Sequence, residues 1–399
     1  MSEDGRVDAT AETELFTRAR RLLRVASVPG SAAEGVFLVG GTVRDLILGR
    51  AFVDVDLAVD GDPLVLARAL GDPERNEPRF GTLRVTRDGV RYDLARTRTE
   101  RYAHPGALPA VAPAPIHADL NRRDFTVNAI AIGLTGPLAG QLISVDGALE
   151  DVAARRLAVL HDASFEDDPT RLLRLARYSA RLGFEIAPHT RELAQRALAG
   201  GALETVSGTR IGNELRLLAT EPDPVAAFEA ASDLGLPWSL DPDLAGHALD
   251  ALPADGRRDI LVLACVFSTE PKKQLGPALD RLAFTAADRQ AILEGTRAPG
   301  LALRLANASS RSEIARVLRH VGVETIALVA AKGDPSQPRL WLDELRHISL
   351  QISGDDLRAA GIAEGPAIGK ALEAARDAMY DGEARDRASQ LAVALKAAE

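Results

Sequence analysis

Short apolar runs mark the first part of the chain, and helical periodicities mark the rest. "VFLVG" (36–40), "VDVDLAV" (53–59), "GTLRVTRD" (81–88) and "VRYDLARTR" (90–98) are strand-length. Several of them alternate polar with apolar positions, the period of a strand with one packed face. Between the first two, "TVRDLILG" predicts a short helix closed by Gly49, and "DPLVLARALG" predicts another. Residues 11–27 carry apolar positions at helical spacing and predict a leading helix. Residues 101–117, rich in Pro and Ala, fit neither period and are expected to form a mobile loop. From about residue 150 onward, patterns such as "DPTRLLRLARYSARLG" and "GTRIGNELRLLAT" predict helices almost throughout. Proline-bearing breaks at 220–224 and 332–338 divide that part. The expected organisation is an N-terminal extension (1–34), a small α/β domain (35–150), and three helical pieces (151–220, 221–332 and 333–399).

Composition narrows the function classes. The 399 residues are 46% hydrophobic and 26% charged, with a net charge of −9, so contact with nucleic acid must come from a local basic face and not from the overall field. The lone cysteine, Cys265, lies in the apolar run "DILVLACVF" and is expected to pack as a small hydrophobe. One cysteine excludes a disulfide framework and a cysteine-ligated zinc site. The acidic start lacks the order of a secretory signal, and no apolar run approaches the roughly 20 residues of a membrane span. A cytoplasmic protein without membrane contact is expected.

Two features suggest chemistry. In a strand, Asp54 and Asp56 project from the same face about 7 Å apart, while Val53, Val55 and Leu57 face the opposite way. Such a pair suits a hard divalent cation, and equally suits a solvated edge strand. Asp93, in a later strand, could add a third carboxylate or be a surface charge. Gly40 and Gly41 join a strand to a helix, where backbone can approach an anion closely. Arg44, one turn on, could contact a phosphate. The turn is neither a P-loop nor a dinucleotide fingerprint, and taken alone it fits a structural strand-to-helix turn better.

Together these residues carry a resemblance. "GGTVRD" (40–45) with "DVD" (54–56), "RRDFTVNAIAI" (122–132), "DDPTRLLRLARYSARLGFEI" (167–186) and "VSGTRIGNEL" (206–215) resemble, in order, motifs of the class II tRNA nucleotidyltransferases. That family comprises CCA-adding enzymes and related bacterial poly(A) polymerases, within the polymerase-β-like nucleotidyltransferase superfamily. The resemblance implies an α/β head with a small mixed sheet followed by all-α neck, body and tail, the tail binding tRNA. It implies that Asp54 and Asp56 hold Mg²⁺, with Asp93 a candidate third catalytic carboxylate. It implies that Gly40, Gly41, Arg44 and Arg123 face the nucleotide, and it assigns Asp124 and Asn128 to capping or structural positions. In a helix starting near Pro169 and capped by Asp168, Arg171, Arg174, Arg177 and Arg181 share one stripe, and Leu172, Leu173, Leu175 and Ala176 supply the packing face. The resemblance assigns Asp168 and Arg171 to the base edge, and Arg174 and Arg177 to the triphosphate. Asp167 stands where the family usually has Glu, one methylene longer. His104, His117 and His161 have no metal-ligand spacing and are expected at the surface.

The function so implied is Mg²⁺-dependent transfer of CMP and AMP from CTP and ATP to the 3′ end of tRNA. An A-adding enzyme, a CC-adding enzyme, a poly(A) polymerase and a non-catalytic RNA-binding module are the competing readings. The acidic chain lacks the strongly basic extension expected of a poly(A) polymerase. The 101–117 segment is long enough for the head loop that CC-adding enzymes are expected to lack. Retention of Asp54, Asp56, Arg44 and Arg171 argues against a mere binder. No HD pattern suggests an added hydrolase, and the oligomeric state is not legible.

Overall fold

The computed structural model describes residues 35–51, 54–77 and 81–398, together with Thr17. The helix expected over 11–27 falls outside these residues but for that one position, as does Val53. The chain divides into two compact units, one running to Ser207 and including Asp233–Leu236, the other Gly208–Ser232 with Pro237–Glu399.

In the first unit, β1 (Gly35–Val39) leads into α1 (Gly41–Ile47), β2 (Asp54–Asp60) and α2 (Pro63–Leu70). The helix α2 starts as its sequence predicts, with the Asp62 carboxylate accepting from the Leu64 N–H at 2.9 Å and Pro63 in the first turn. Then follow β3 (Glu74–Glu77), β4 (Thr82–Arg87), β5 (Val90–Arg96), β6 (Arg98–Arg101), β7 (Ala110–Pro113) and α3 (Ile116–Asn121). The strands β8 (Ile130–Gly133) and β9 (Leu142–Ser144) complete a seven-stranded sheet ordered β3-β4-β5-β2-β1-β8-β9. Its β2–β5 pair is parallel and its other pairs antiparallel, making the sheet mixed. Phe37, Val39, Ala58, Ala129, Ala131 and Ile143 form a core with Ile116 and Leu120 of α3.

The segment expected to be a loop, 101–117, is irregular over 102–109 and 114–115 but also holds a strand and the start of a helix. β6 and β7 pair as an antiparallel hairpin, with Arg98 opposite Pro113 and Arg101 opposite Ala110, and α3 follows. β7 is open to solvent, with Ala110–Pro113 exposed at every position. No packed face imposes an alternation there, so the sequence shows none.

Beyond α4 (Ala148–Ala153), the short parallel pair β10 (Arg156–Leu157) and β11 (Glu185–Ile186) brackets α5 (Ser164–Asp167) and α6 (Thr170–Leu182). The unit continues with α7 (Pro188–Ala199). Leu172, Leu173, Leu175 and Ala176 are fully buried, as the stripe pattern requires.

The second unit is helical among its described residues. Helix Arg258–Val266 buries every side chain from Ile260 to Val266. Cys265 packs among them, and burial pushes its thiol up to about 12, leaving no thiolate at neutral pH. Ile352, Leu357, Ala371, Ala375 and Ala394 form a separate core near the C-terminal end. No helix among the described residues is long and apolar enough to cross a membrane.

Candidate active site

The carboxylates come from the sheet's interior. Alternation along β2 buries Val55 and Leu57 at 1% and 2% exposure and turns Asp54 and Asp56 to the opposite face. Both backbones are pinned from α1. The Thr42 hydroxyl accepts from the Asp56 N–H at 3.1 Å and donates to the Asp54 carbonyl at 3.3 Å. Parallel pairing puts Arg91 beside Asp54 and Asp93 beside Asp56. Arg91 forms an ion pair with Oδ2 of Asp54, while Oδ1 is buried without a hydrogen-bond partner. Burial pushes the Asp56 carboxyl above the usual carboxylate range; Arg123 opposes that shift and the Asp93 charge adds to it.

Asp93 is bonded by Arg84, at 2.8 Å from Nε and 3.2 Å from Nη2. Among the described residues, no group of three or more His, Cys, Asp and Glu side chains is arranged to hold a metal ion. Asp54 and Asp56 still fit a hard divalent cation. One contributes an orphaned buried oxygen, the other a carboxyl whose ionised form burial disfavours, and a nearby positive charge relieves both.

The glycine turn opens onto these carboxylates. Gly40 lies at φ +68°, and a Cβ placed on it would sit 2.7 Å from Nη1 of Arg123 and 3.9 Å from Oδ2 of Asp56. Only a residue without a side chain lets all three meet. Arg123 is held by Asp119, whose Oδ2 accepts from Nη2 at 3.0 Å, and its Nε is buried with no partner. Asp119, 1% exposed, also accepts from Arg122 at 2.8 and 3.0 Å and from the Arg98 N–H at 3.1 Å. Burial works to raise its carboxyl, yet Arg122 and Arg123 hold it below the usual range.

Arg44, expected to reach a phosphate, is engaged with protein partners. It is 3% exposed, and its guanidinium donates to both oxygens of Asp45, at 2.9 and 3.0 Å, and to the Asn128 side-chain oxygen. Asn128 in turn donates to Oδ1 of Asp124 at 3.1 Å, and Oδ2 of Asp124 accepts from Nε of Arg174 at 2.9 Å. Burial opposes the ionised Asp124, but Arg174 and these bonds hold its carboxyl well below the ordinary range. The second and third motifs are thereby joined through an ion pair. Tyr178 lies at the same place, with Arg44, Arg174 and Arg177 gathered around its ring.

The base-selecting candidates sit one turn earlier. α6 begins at Thr170 with Pro169 in the cap position, so Asp168 caps from one residue further back than the sequence predicts. Its Oδ1 accepts from the Thr170 N–H at 3.0 Å and from the Thr170 hydroxyl at 2.6 Å. Arg171, 5% exposed, donates to the Ser164 hydroxyl at 2.7 Å and to the Arg122 carbonyl at 2.8 Å. Nearby, Tyr102 donates to Glu100 at 2.9 Å; burial and that carboxylate push its phenol above the ordinary value. His104, His117 and His161 are exposed. Asp119, Ser164 and Tyr178 carry the site's scaffold without having been singled out as site residues from sequence, while Asn128, assigned there a capping or structural position, joins Arg44 to Asp124. Asp119 had the one usable signal, a carboxylate three and four residues before an Arg pair.

Comparison with known proteins follows the same division. Residues 36–158 match the model of the poly A polymerase head domain. The chain is 34% identical over 91% of its length to an A-adding tRNA nucleotidyltransferase of Geobacter sulfurreducens, but spans only 45% of that relative. A second A-adding tRNA nucleotidyltransferase, from Halalkalibacterium halodurans, is 37% identical over 58% of this chain, which spans 56% of it. The chain therefore spans about half the length of these curated relatives. A CC-adding tRNA nucleotidyltransferase of Deinococcus radiodurans is 35% identical over 84% of this chain and 82% of its own. Among solved structures, a CCA-adding enzyme in apo form superposes with a TM-score of 0.77 at 26% identity, covering 98% of this chain and 96% of that one. The Thermotoga maritima CCA-adding enzyme complexed with tRNA gives 0.73 at 27% identity, covering 97% and 98%.

Proposed function

The chain belongs to the tRNA nucleotidyltransferase family, and from that membership we propose that it adds CMP and AMP to the 3′ end of tRNA. The nucleotides come from CTP and ATP, no nucleic-acid template is used, and pyrophosphate leaves. The observation that carries the reading is the convergence at Gly40, where the open turn, the Arg123 guanidinium and the Asp56 carboxylate meet within 4 Å. A divalent cation such as Mg²⁺, held by Asp54 and Asp56, would supply charge neutralisation and Lewis acidity at the reacting phosphate. Arg123, Arg174 and Arg177 bind and orient the triphosphate. Asp93, held by Arg84, stiffens the field around Asp56 and stands in reserve as a third carboxylate.

Asp168 and Arg171 read the base. Cytosine and adenine each present an amino donor beside a ring-nitrogen acceptor, so one carboxylate and one guanidinium satisfy both. Uracil and guanine present the reverse and would leave buried groups mismatched, a discrimination of roughly 10²–10⁴-fold. The bonds from Arg171 to Ser164 and to the Arg122 carbonyl fix the guanidinium before any nucleotide arrives. The Asp167 carboxylate, shorter than the family's usual Glu, makes this scaffolding of Arg171 the more important.

A second reading, addition of A alone, is favoured by the names of the Geobacter and Halalkalibacterium relatives. Transcripts ending before CCA, after C and after CC, each offered one labelled nucleotide at a time, separate the readings. Ordered addition of C and A supports the first. Incorporation of A alone, and only on the CC-ended transcript, moves the assignment to the second. Failure of the folded protein to extend any tRNA overturns both.

A further inference from the structure

We propose that Arg91 is a positioning residue for the metal-binding carboxylate: it is the resident counter-ion of Asp54, and it passes to Asp93 when a divalent cation takes its place. The inference rests on the reading that Asp54 and Asp56 hold a metal. Register puts the parts within reach of one another. β2 and β5 run parallel with Arg91 opposite Asp54 and Asp93 opposite Asp56, so alternation turns all four side chains to one face. Arg91 bonds Oδ2 of Asp54, and its Nε stands 3.9 Å from Oδ2 of Asp93. One guanidinium thus lies between two carboxylates and is hydrogen-bonded to one of them.

Two loose ends mark the arrangement as incomplete. Oδ1 of Asp54 and Nε of Arg91 are both buried without a hydrogen-bond partner. Leaving such groups unpaired is costly when they are charged. A cation at Asp54 would satisfy the first, and transfer of Arg91 to Asp93 satisfies the second. The exchange is also driven by charge, because a guanidinium and a divalent cation on the same carboxylate repel each other. Asp93 has room to receive the arginine: Arg84 takes one bond at each of its oxygens, at 2.8 and 3.2 Å, and a carboxylate accepts about four. The Arg91 side chain is 43% exposed, so its guanidinium end is free to move while the strand stays fixed.

The test uses the full chain without nucleotide and Mn²⁺ as the probe, its free concentration read by electron paramagnetic resonance, with thermal melting in chelator as the check on folding. Arg91→Gln should bind Mn²⁺ about tenfold tighter, the scale of one bond to a charged group, and should melt a few degrees lower in chelator. Arg91→Lys keeps the charge and should stay within about threefold of the native chain. Arg84→Gln removes the same charge from beside Asp93 without touching Asp54, and should change the affinity by no more than about twofold. Asp93→Asn should weaken Mn²⁺ binding about tenfold in the native background and only about twofold alongside Arg91→Gln, where no guanidinium needs a receiver. Unchanged or weaker binding in Arg91→Gln, equal tightening by Arg91→Gln and Arg84→Gln, or equal weakening by Asp93→Asn in both backgrounds overturns the role of Arg91. Mn²⁺ binding that survives Asp54→Asn is a different failure, and overturns the metal assignment itself.

Discussion

Replacing Gly40 by Ala tests the claim that this position is empty for a reason. Two separate costs are legible. The backbone lies at φ +68° and ψ −135°, a region essentially reserved for glycine, and holding alanine there costs roughly 1–3 kcal/mol. The new Cβ would also sit 2.7 Å from Nη1 of Arg123, well inside ordinary contact. Arg123 cannot simply swing aside, because Asp119 holds Nη2 at 3.0 Å and Nη1 reaches the Asn128 carbonyl at 3.4 Å. Disturbing bonds to a charged group adds about 1.5–3 kcal/mol. Gly49 provides the control: its φ is +67°, but nothing lies within 4 Å of the Cβ position, so Gly49→Ala should cost only about 1–2 kcal/mol of backbone strain. At about 2–4 °C per kcal/mol for a unit of this size, thermal melting should drop by about 5–24 °C for Gly40→Ala and by only about 2–8 °C for Gly49→Ala. The double variant Gly40→Ala/Arg123→Ala should be less destabilised than the sum of the two single changes, since the clash disappears with the arginine. Equal losses at the two glycines, or strict additivity with Arg123→Ala, would refute the reasoning.

Other expectations follow from the same geometry. Asp56→Asn should abolish nucleotidyl transfer, leave tRNA binding in a gel-shift assay largely intact, and raise the melting temperature in chelator by a few degrees, because it removes a charge that burial disfavours. Asp124 is held ionised by Arg174, so its contribution to stability is complete above the ordinary carboxylate value near pH 4 and is lost as pH falls toward its depressed folded value. Urea titrations from pH 6 to 2 should accordingly show a shallower acid decline for Asp124→Asn than for the native chain, even though the variant is less stable at pH 6. Ser164→Ala removes one of the two bonds that fix Arg171, and its readout is the ratio of correct to incorrect nucleotide incorporated, which should fall about tenfold or more while total binding changes less. An unchanged ratio would remove Ser164 from the selection apparatus.

What the sequence disclosed follows the physics of burial. The carboxylate strand was legible because one face of β2 packs and the other does not, so Asp54 and Asp56 stand out against Val55 and Leu57. The arginine helix was legible for the same reason, its leucines fully buried. The β6–β7 hairpin was not, since a strand open to solvent writes no period into its residues. Nor was the fate of Arg44, which depends on Asn128, 84 positions away. From a motif, Arg44 reads as a phosphate ligand; in the fold it braces two motifs against each other, its charge shared with Asp45. The ring of Tyr178, reached by Arg44 from another part of the chain, was invisible in a pattern that scored it as one more residue of α6.

The Thr42 hydroxyl, lodged between the backbone of Asp54 and that of Asp56, carries one last consequence. It ties the glycine turn to the carboxylate strand, so under the proposed function the distance from the triphosphate to Asp54 and Asp56 would not stretch to suit the nucleotide. A pyrimidine and a purine differ in reach, and on that reading the difference would be absorbed at the far end, where α6 and the turn before it would meet the base. Thr42 would then be the zero mark of a ruler: the reaction centre would stay at the origin, and nucleotides would be told apart by where their other ends fall.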